Sequence, residues 1–253
     1  MAFTATTTAW GAGDPLDVTL ERIDANCPDA TTVELSIGAR PHPHGPDLLA
    51  SWADRFTFIA HHTAPIGAGR SIRPSLETSP HASAASLRRV GITRYSGHPP
   101  PIKHADHDQF DRWAFDWWQA LASCGISWSI ETMYVPQTSS DIASAGGHHL
   151  STPAEAWAFV ERATAAGWAD PLLIDVSHLN IGLHAGIWTE TDILELVATA
   201  PASELHVSTN DGRRDLHSPI GPGDRIWSWV EPHLGRFTWV VDEGRRSGPQ
   251  ESS

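Results

Sequence analysis

The chain carries histidine and carboxylate side chains at short spacings over most of its length, and these side chains bind Zn, Mn and Fe. Asp175 and His178 are three residues apart, and Asp215 and His217 are two apart, so a strand or its exit loop could aim both members of a pair into one cavity. The set comprises nine candidate metal ligands: His62, His98, Glu131, Asp175, His178, His206, Asp215, His217 and Glu243.

Nine ligands are more than one cation needs. Charges left unpaired in a cavity cost free energy, and bound cations would offset that cost. The sequence therefore predicts one to three divalent metal ions, with two or three fitting the ligand count better than one. Zn, Mn and Fe all accept such a set, so the metal stays open. Either His61 or His62 could supply the first histidine.

The charge balance narrows the choice of partner. The 253 residues include 17 Lys and Arg against 30 Asp and Glu, and this net charge of -13 gives no support for binding phosphate backbones or anionic membranes. The 15 histidines instead direct attention to metal chemistry. We expect a small-molecule substrate and neither a nucleic-acid nor a membrane partner, while the oligomeric state stays open.

Cysteine usage and the first residues predict a cytoplasmic protein. Cys27 and Cys124 are too few for a disulfide scaffold and lack a CxxC spacing. The chain starts without the basic and apolar stretches of a secretory signal peptide. No window approaches the roughly eighteen apolar residues that a membrane-spanning helix needs.

Short β-rich runs alternate with helix-like segments, and this alternation predicts the elements that hold the ligands. Strands are predicted at 3–10, 31–38, 56–65, 90–95, 126–134, 171–178, 204–208 and 237–243. Hydroxyl residues at 151–152 and at 189 or 191 would cap two of the helices. Helices are predicted at about 16–26, 46–54, 82–89, 107–123, 152–166, 190–199 and 224–234.

Eight strands alternating with helices predict an α/β fold, a (β/α)8 TIM barrel of parallel strands joined by right-handed crossovers. Only ten residues, mostly polar, follow Glu243, so the eighth helix is expected to be missing. We therefore predict a single barrel domain over residues 1–243 and a disordered polar tail over residues 244–253.

The candidate ligands lie where such a barrel builds its active site, at the C-terminal ends of the strands. From the third predicted strand onward, every strand end carries His, Asp or Glu. One residue of this kind would be read as a cap or as an ordinary hydrogen-bonded side chain. Six consecutive strand ends of metal-ligand type favour a metal centre.

The most specific motif lies between Leu205 and Asp224. It reads His206, then Asp215-Leu216-His217, then Ile220-Gly221-Pro222-Gly223. Together with the Asp-x-x-His of residues 175–178 and the glutamates at two strand ends, this segment resembles the xylose-isomerase-like TIM barrel superfamily. That superfamily includes sugar isomerases and epimerases, endonuclease IV and AP endonuclease family 2. The resemblance extends over nearly the whole chain in strand order.

The resemblance implies an enzyme of one of three kinds. In sugar isomerases and epimerases, four ligands hold one divalent ion and the two glutamates act as acid and base; the matching residues are Glu131, Asp175, His206 and Glu243. Multinuclear non-haem iron oxidative enzymes of peptide natural-product pathways combine barrel histidines with an Asp-x-His motif. Endonuclease IV uses the full ligand set to hold three zincs and hydrolyse a phosphodiester.

We interpret the chain as an isomerase or epimerase acting on a small sugar-like or hydroxy-keto substrate, with Glu131 and Glu243 as catalytic acid and base. The first alternative is a multinuclear iron enzyme acting on a peptide or amino-acid-derived substrate, because the ligands exceed what one ion requires. The second alternative is a metal-dependent phosphodiester hydrolase. It ranks lower because the acidic charge balance of the chain disfavours binding to DNA. A catalytically silent metal-binding barrel is the alternative outside the enzymes.

Three residues outside the ligand set could contact the substrate. Arg214 and Arg245 could recognise a carboxylate or phosphate, although such arginines are more often solvated on a rim. Trp10, at the end of the first predicted strand, could stack on a sugar or ring at the barrel mouth.

Overall fold

A computed structural model describes residues 3–135 and 147–246, and within them eight parallel strands form a nearly closed barrel. The barrel order is β1-β2-β3-β6-β7-β8-β9-β10, while β4 and β5 form a separate antiparallel pair. The strands are β1 (Ala5–Thr6), β2 (Thr32–Leu35), β3 (Thr57–His61), β4 (Ala64–Gly67), β5 (Arg70–Ile72), β6 (Arg94–Gly97), β7 (Ser127–Glu131), β8 (Leu172–Asp175), β9 (Ala202–Val207) and β10 (Trp239–Asp242).

The first and last strands meet at a short seam. Thr4 forms a parallel bridge with Val241, and its N–H donates to the Val240 carbonyl over 2.8 Å. This contact brings β1 beside β10, as the predicted (β/α)8 barrel requires. The α/β barrel fold is therefore confirmed.

Helices cover the outside of the barrel, and several begin at side-chain caps. The Thr152 and Thr189 hydroxyls accept N–H bonds at the starts of two helices, as the sequence predicts. None of the helices in the described ranges is both long and apolar enough to cross a membrane. The helices are α1 (Thr7–Trp10), α2 (Leu16–Asn26), α3 (Gly45–Ser51), α4 (Pro80–Arg89), α5 (His107–Ser123), α6 (Pro153–Ala165), α7 (Val176–His184), α8 (Glu190–Thr199) and α9 (Arg225–Val230), followed by a 3-10 helix (Glu231–Arg236).

Two predicted strands are wrong in their second halves, because side-chain caps start helices there. The Thr6 hydroxyl accepts the Thr8 N–H, so residues 7–10 form α1 instead of extending β1. The Asp175 carboxylate accepts the N–H groups of Ser177 and His178 and starts α7 directly after β8. In both places local capping overrides the β-propensity of the sequence.

The predicted strand at 56–65 is also wrong in part. The backbone turns at His62, whose φ is 41°, and Ala64 begins the β4–β5 hairpin. At the other end, residues 243–246 are not helical, in agreement with a missing eighth helix. The rest of the predicted tail, residues 247–253, lies outside the described residues, so the division at 243 stays a prediction.

Tryptophans pack the longest helix against the barrel. Trp113 and Trp117 lie on the buried face of α5, as their helical spacing suggests, and both contact Trp128 on β7. The Trp117 and Trp128 rings stack with centroids 5.6 Å apart, and both side chains are buried. This contact holds α5 against the strand that ends in Glu131.

Replacing Trp117 with alanine should therefore lower the free energy of unfolding by about 3–5 kcal/mol, because it leaves a cavity behind β7. Trp118→Ala is the matched control, since the neighbouring Trp118 is only partly buried and stacks on Trp168. Urea denaturation of both variants would measure the difference. An equal loss of unfolding free energy in the two variants would contradict the packing of Trp117 against Trp128.

Candidate metal centre

The candidate ligands converge on one cavity of about 80 Å³ at the C-terminal ends of the strands. Eight of the nine predicted metal ligands line it, and the ninth, His206, is buried and contacts the Glu243 carboxylate. The other lining residues lie at or just after the ends of β1, β2 and β3: Thr8, Ser36, Ile37 and His61.

Three histidines surround the Glu131 carboxylate. Oε2 lies 2.8 Å from His98 Nε2 and 3.3 Å from His61 Nε2, whereas Oε1 lies 3.4 Å from His178 Nδ1. Burial opposes ionisation of this carboxyl, but the neighbouring His98, His61 and His178 outweigh it and hold the pKa of Glu131 well below its usual range. Glu131 is therefore a carboxylate with two imidazoles at Oε2 and a third at Oε1.

Of the two adjacent histidines, His61 reaches Glu131, whereas the sequence-based ligand set named His62. The last residue of β3 is His61, whose Nδ1 lies 3.0 Å from the Ser96 hydroxyl, leaving Nε2 towards the cavity. His62 stacks flat on His98 at 3.9 Å, and its Nδ1 accepts the His98 backbone N–H. The left-handed backbone at His62 turns its side chain out of the strand alternation.

A second group forms around His206. Glu131, Asp175 and His206 offer ligand atoms that all lie within 4.8 Å of one another, and His206 Nδ1 is 3.4 Å from Glu243 Oε2. These four side chains come from the ends of four consecutive strands of the barrel, β7 to β10. Burial raises the pKa of Asp175 to about 7, and the charges of Glu131 and Glu243 add to that rise.

His178 is oriented by the helix that Asp175 caps. Its Nδ1 lies 2.9 Å from the Thr132 carbonyl, which can only accept, so Nδ1 carries the proton. Nε2 then faces Asp215, whose Oδ2 is 3.5 Å away. Asp215 Oδ2 is also 2.7 Å from His217 Nε2, so these three residues form a third ligand group. The backbone at His217, like that at His62, is left-handed, with a φ of 46°.

Beneath these groups lies a buried polar layer that sequence reasoning missed. His206 Nε2 is 2.9 Å from Glu34 Oε2 and 3.2 Å from Glu204 Oε1. Arg94 donates to Glu204 over 2.8 Å and to Ser129 over 2.6 Å. Burial opposes ionisation of Glu204, but Arg94 and His206 lower its pKa to about 2. The available signal was a charged residue within a predicted strand: Glu34 in 31–38, Arg94 in 90–95 and Glu204 in 204–208.

The three residues predicted to bind substrate do not line this cavity or the one beside it. Arg214 has a side chain 74% exposed and pairs with Asp211. Arg245 is exposed, and Trp10 ends α1 beside another pocket. The adjoining cavity, about 350 Å³, shares His62 and His98 with the central cavity and includes Arg73. The substrate-binding roles of Arg214, Arg245 and Trp10 stay predictions.

Two ring nitrogens show that the residues present would accommodate a cation. Nδ1 of His206 and Nδ1 of His217 are buried and make no hydrogen bond to a described residue. Both face the same oxygen, Oε2 of Glu243, at 3.4 and 3.7 Å. His206 Nε2 lies against two carboxylates, the arrangement that directs the other ring nitrogen to a metal ion. The donor set is imidazole and carboxylate, which suits Zn, Mn and Fe.

Comparisons with known proteins support the fold. No family model matches the sequence, and no curated protein matches it. Among solved structures, a D-tagatose 3-epimerase-like protein is 14% identical over 97% of this chain and 91% of its own, with a TM-score of 0.64. The chain thus has the fold of the xylose-isomerase-like barrels.

Two further structures give the same result. A Thermus thermophilus protein whose crystals were soaked with ZnCl2 is 17% identical over 100% of this chain and 95% of its own, with a TM-score of 0.60. An AP endonuclease, family 2, from Brucella melitensis is 14% identical over 97% of this chain and 93% of its own, with a TM-score of 0.60.

The buried Arg94–Glu204 pair predicts a large effect on stability. Arg94→Met would leave the buried Glu204 carboxylate with His206 but without its arginine partner, so the free energy of unfolding should fall by about 3–5 kcal/mol. The matched control, Arg162→Met, breaks a partly exposed pair with Asp111 and should cost less than about 1 kcal/mol. Chemical denaturation would measure both, and a loss no larger in Arg94→Met would contradict the assignment.

Proposed function

We propose that this chain is a divalent-metal-dependent enzyme that moves a proton on a carbon next to a carbonyl, in a small sugar-like or hydroxy-keto substrate. The observation that carries the proposal is the grouping of Glu131, Asp175 and His206 within 4.8 Å, with Glu243 against His206. Sugar epimerases and related barrels among the structural neighbours support it.

In this proposal Glu131, Asp175, His206 and Glu243 would hold the cation, which when bound supplies Lewis-acid polarisation of the substrate oxygens. One of the two glutamates takes the proton from the carbon, and the electron pair moves towards the carbonyl oxygen to give an enediolate. The other glutamate, after taking up a proton from solvent, delivers it to the opposite face of the same carbon, which gives epimerisation. Delivery of a proton to the former carbonyl carbon, while the proton of the neighbouring hydroxyl passes to the former carbonyl oxygen, gives isomerisation instead.

The surroundings suit these roles. Both glutamates are buried, and although burial opposes their ionisation, the histidines that contact them lower the pKa of each, so each is a carboxylate able to accept a proton. Asp175 uses Oδ1 to cap α7 and keeps Oδ2 as a possible ligand. Glu34 and Glu204 fix the His206 ring from below.

A test of the proton transfer needs no knowledge of the natural substrate. A panel of ketohexoses, ketopentoses and hydroxy-keto acids incubated in D2O with Mn²⁺-loaded protein should gain deuterium next to the carbonyl, as measured by mass spectrometry. Glu243→Gln should reduce this exchange at least about a hundredfold, because it removes a proton acceptor.

The control is Glu195→Gln, which changes an exposed glutamate on α8 and should leave the exchange as in the wild type. Circular dichroism would establish that both variants keep the fold. Exchange by Glu243→Gln at the wild-type rate would refute the acid–base assignment.

A second function is favoured by the ligands that one ion does not use. His61, His98 and Glu131 offer ligand atoms within 4.8 Å of one another. In the third group, His178 and His217 both contact the Asp215 carboxylate. We propose as the runner-up a multinuclear non-haem iron enzyme that oxidises a peptide or amino-acid-derived substrate. Phosphodiester hydrolysis has less support, because among the described residues lining the two adjoining cavities Arg73 is the only arginine or lysine.

Metal analysis separates the two proposals. If the third group holds a cation, Asp215→Asn should carry about one metal ion fewer per chain than the wild type, both purified anaerobically without chelator. Asp211→Asn, an exposed neighbour in the same loop, is the control and should match the wild type. Unchanged metal content in Asp215→Asn would exclude a cation in the third group, and iron-loaded protein that consumes no dioxygen with any peptide tested would exclude the runner-up.

A further inference from the structure

A second cluster of metal-ligand side chains lies apart from the barrel mouth. His107, His149 and Glu155 offer ligand atoms that all lie within 4.8 Å of one another. They line a cavity of about 450 Å³ that shares no residue with the central one or its neighbour. His107 begins α5, His149 precedes α6, and Glu155 lies in the first turn of α6.

The state of His149 is the informative feature. Its side chain is buried, and Nε2 lies 2.9 Å from the Ala105 carbonyl oxygen. A carbonyl can only accept, so Nε2 carries a proton, and in the neutral ring the lone pair is on Nδ1. That Nδ1 is buried and makes no hydrogen bond to a described residue. A ring that donates one N–H to a backbone carbonyl and leaves the other nitrogen free is typical of a metal ligand.

A packing role alone accounts for only part of this arrangement. The His149 ring stacks on Phe110, with centroids 4.5 Å apart and planes 11° apart, which is a contact that a core histidine also makes. A core histidine is normally hydrogen-bonded at both nitrogens, and an unsatisfied buried acceptor costs about 1–3 kcal/mol. Packing does not explain a free Nδ1 on a ring that is clustered with a second imidazole and a carboxylate.

We propose that His107, His149 and Glu155 bind one transition-metal cation of the Zn²⁺ class, in a site separate from the central one. Two imidazoles and one carboxylate are a zinc-type ligand set, with a water molecule as the fourth ligand. Tetrahedral zinc places neighbouring ligand atoms about 3.3 Å apart, so the three side chains must close slightly on the ion. The exposed His107 can make most of that movement.

The cation would join two loops at the barrel mouth. His148, next to His149, lies with Nδ1 2.7 Å from the Pro99 carbonyl and pairs with Pro101 in an isolated bridge. Pro99 and His148 also line the cavity that adjoins the central site. A metal ion at His107, His149 and Glu155 therefore ties the start of α5 to the start of α6 and steadies that wall.

The test is Zn²⁺ stoichiometry. Apo protein is prepared with chelator, titrated with Zn²⁺ alone, desalted and analysed for metal per chain. His107→Ala should bind one equivalent fewer than the wild type, and Glu155→Gln should behave in the same way. His81→Ala, which removes an exposed histidine from the first turn of α4, is the matched control and should bind as many equivalents as the wild type.

Thermal unfolding gives a second measurement. Zn²⁺ should raise the Tm of wild type and His81→Ala more than that of His107→Ala, because a ligand stabilises the state that binds it. Equal stoichiometry in wild type and His107→Ala would overturn the site, and so would an equal loss in His107→Ala and His81→Ala. The result is independent of the central centre, since none of these residues lines that cavity.

Discussion

The organisation of this barrel depends on compensating the negative charge of carboxylates that are crowded at one end of a nearly closed sheet. Burying a carboxylate is costly unless it meets a cation, a proton or several hydrogen-bond donors. Arg94 provides this for Glu204, and imidazoles provide it for most of the others. The carboxylates concerned are Glu34, Glu131, Asp175, Glu204, Asp215 and Glu243.

Protons and metal ions are alternative ways of meeting this constraint. Without a cation, burial opposes the charged form of His206, but Glu34 and Glu243 raise its pKa well above the usual value. A divalent ion that occupied the same space would replace such protons, as metal binding generally does. The formal charge of -13 therefore overstates the negative charge of the chain once metal ions are bound.

The barrel could be predicted from the sequence, and so could the gathering of most candidate ligands in one cavity, because strand ends are local features and a parallel barrel collects them at one face. The buried polar layer below these residues could not be predicted from the sequence. Glu34 and Glu204 lie inside strands, where only the tertiary structure reveals which face points inward. Which of His61 and His62 faces Glu131 is decided by the backbone turn at His62, which the sequence does not reveal. Helix α7 begins where it does because Asp175, itself a candidate ligand, caps it.

The left-handed backbone at His62 and His217 has a consequence for how the protein can change. A residue with a Cβ atom held in this region costs on the order of 1–3 kcal/mol, and glycine or asparagine would relieve much of that strain. Both positions carry imidazoles that line the central cavity. Selection for heat resistance alone would remove these side chains early, so thermostability and an intact cavity compete at the same two positions.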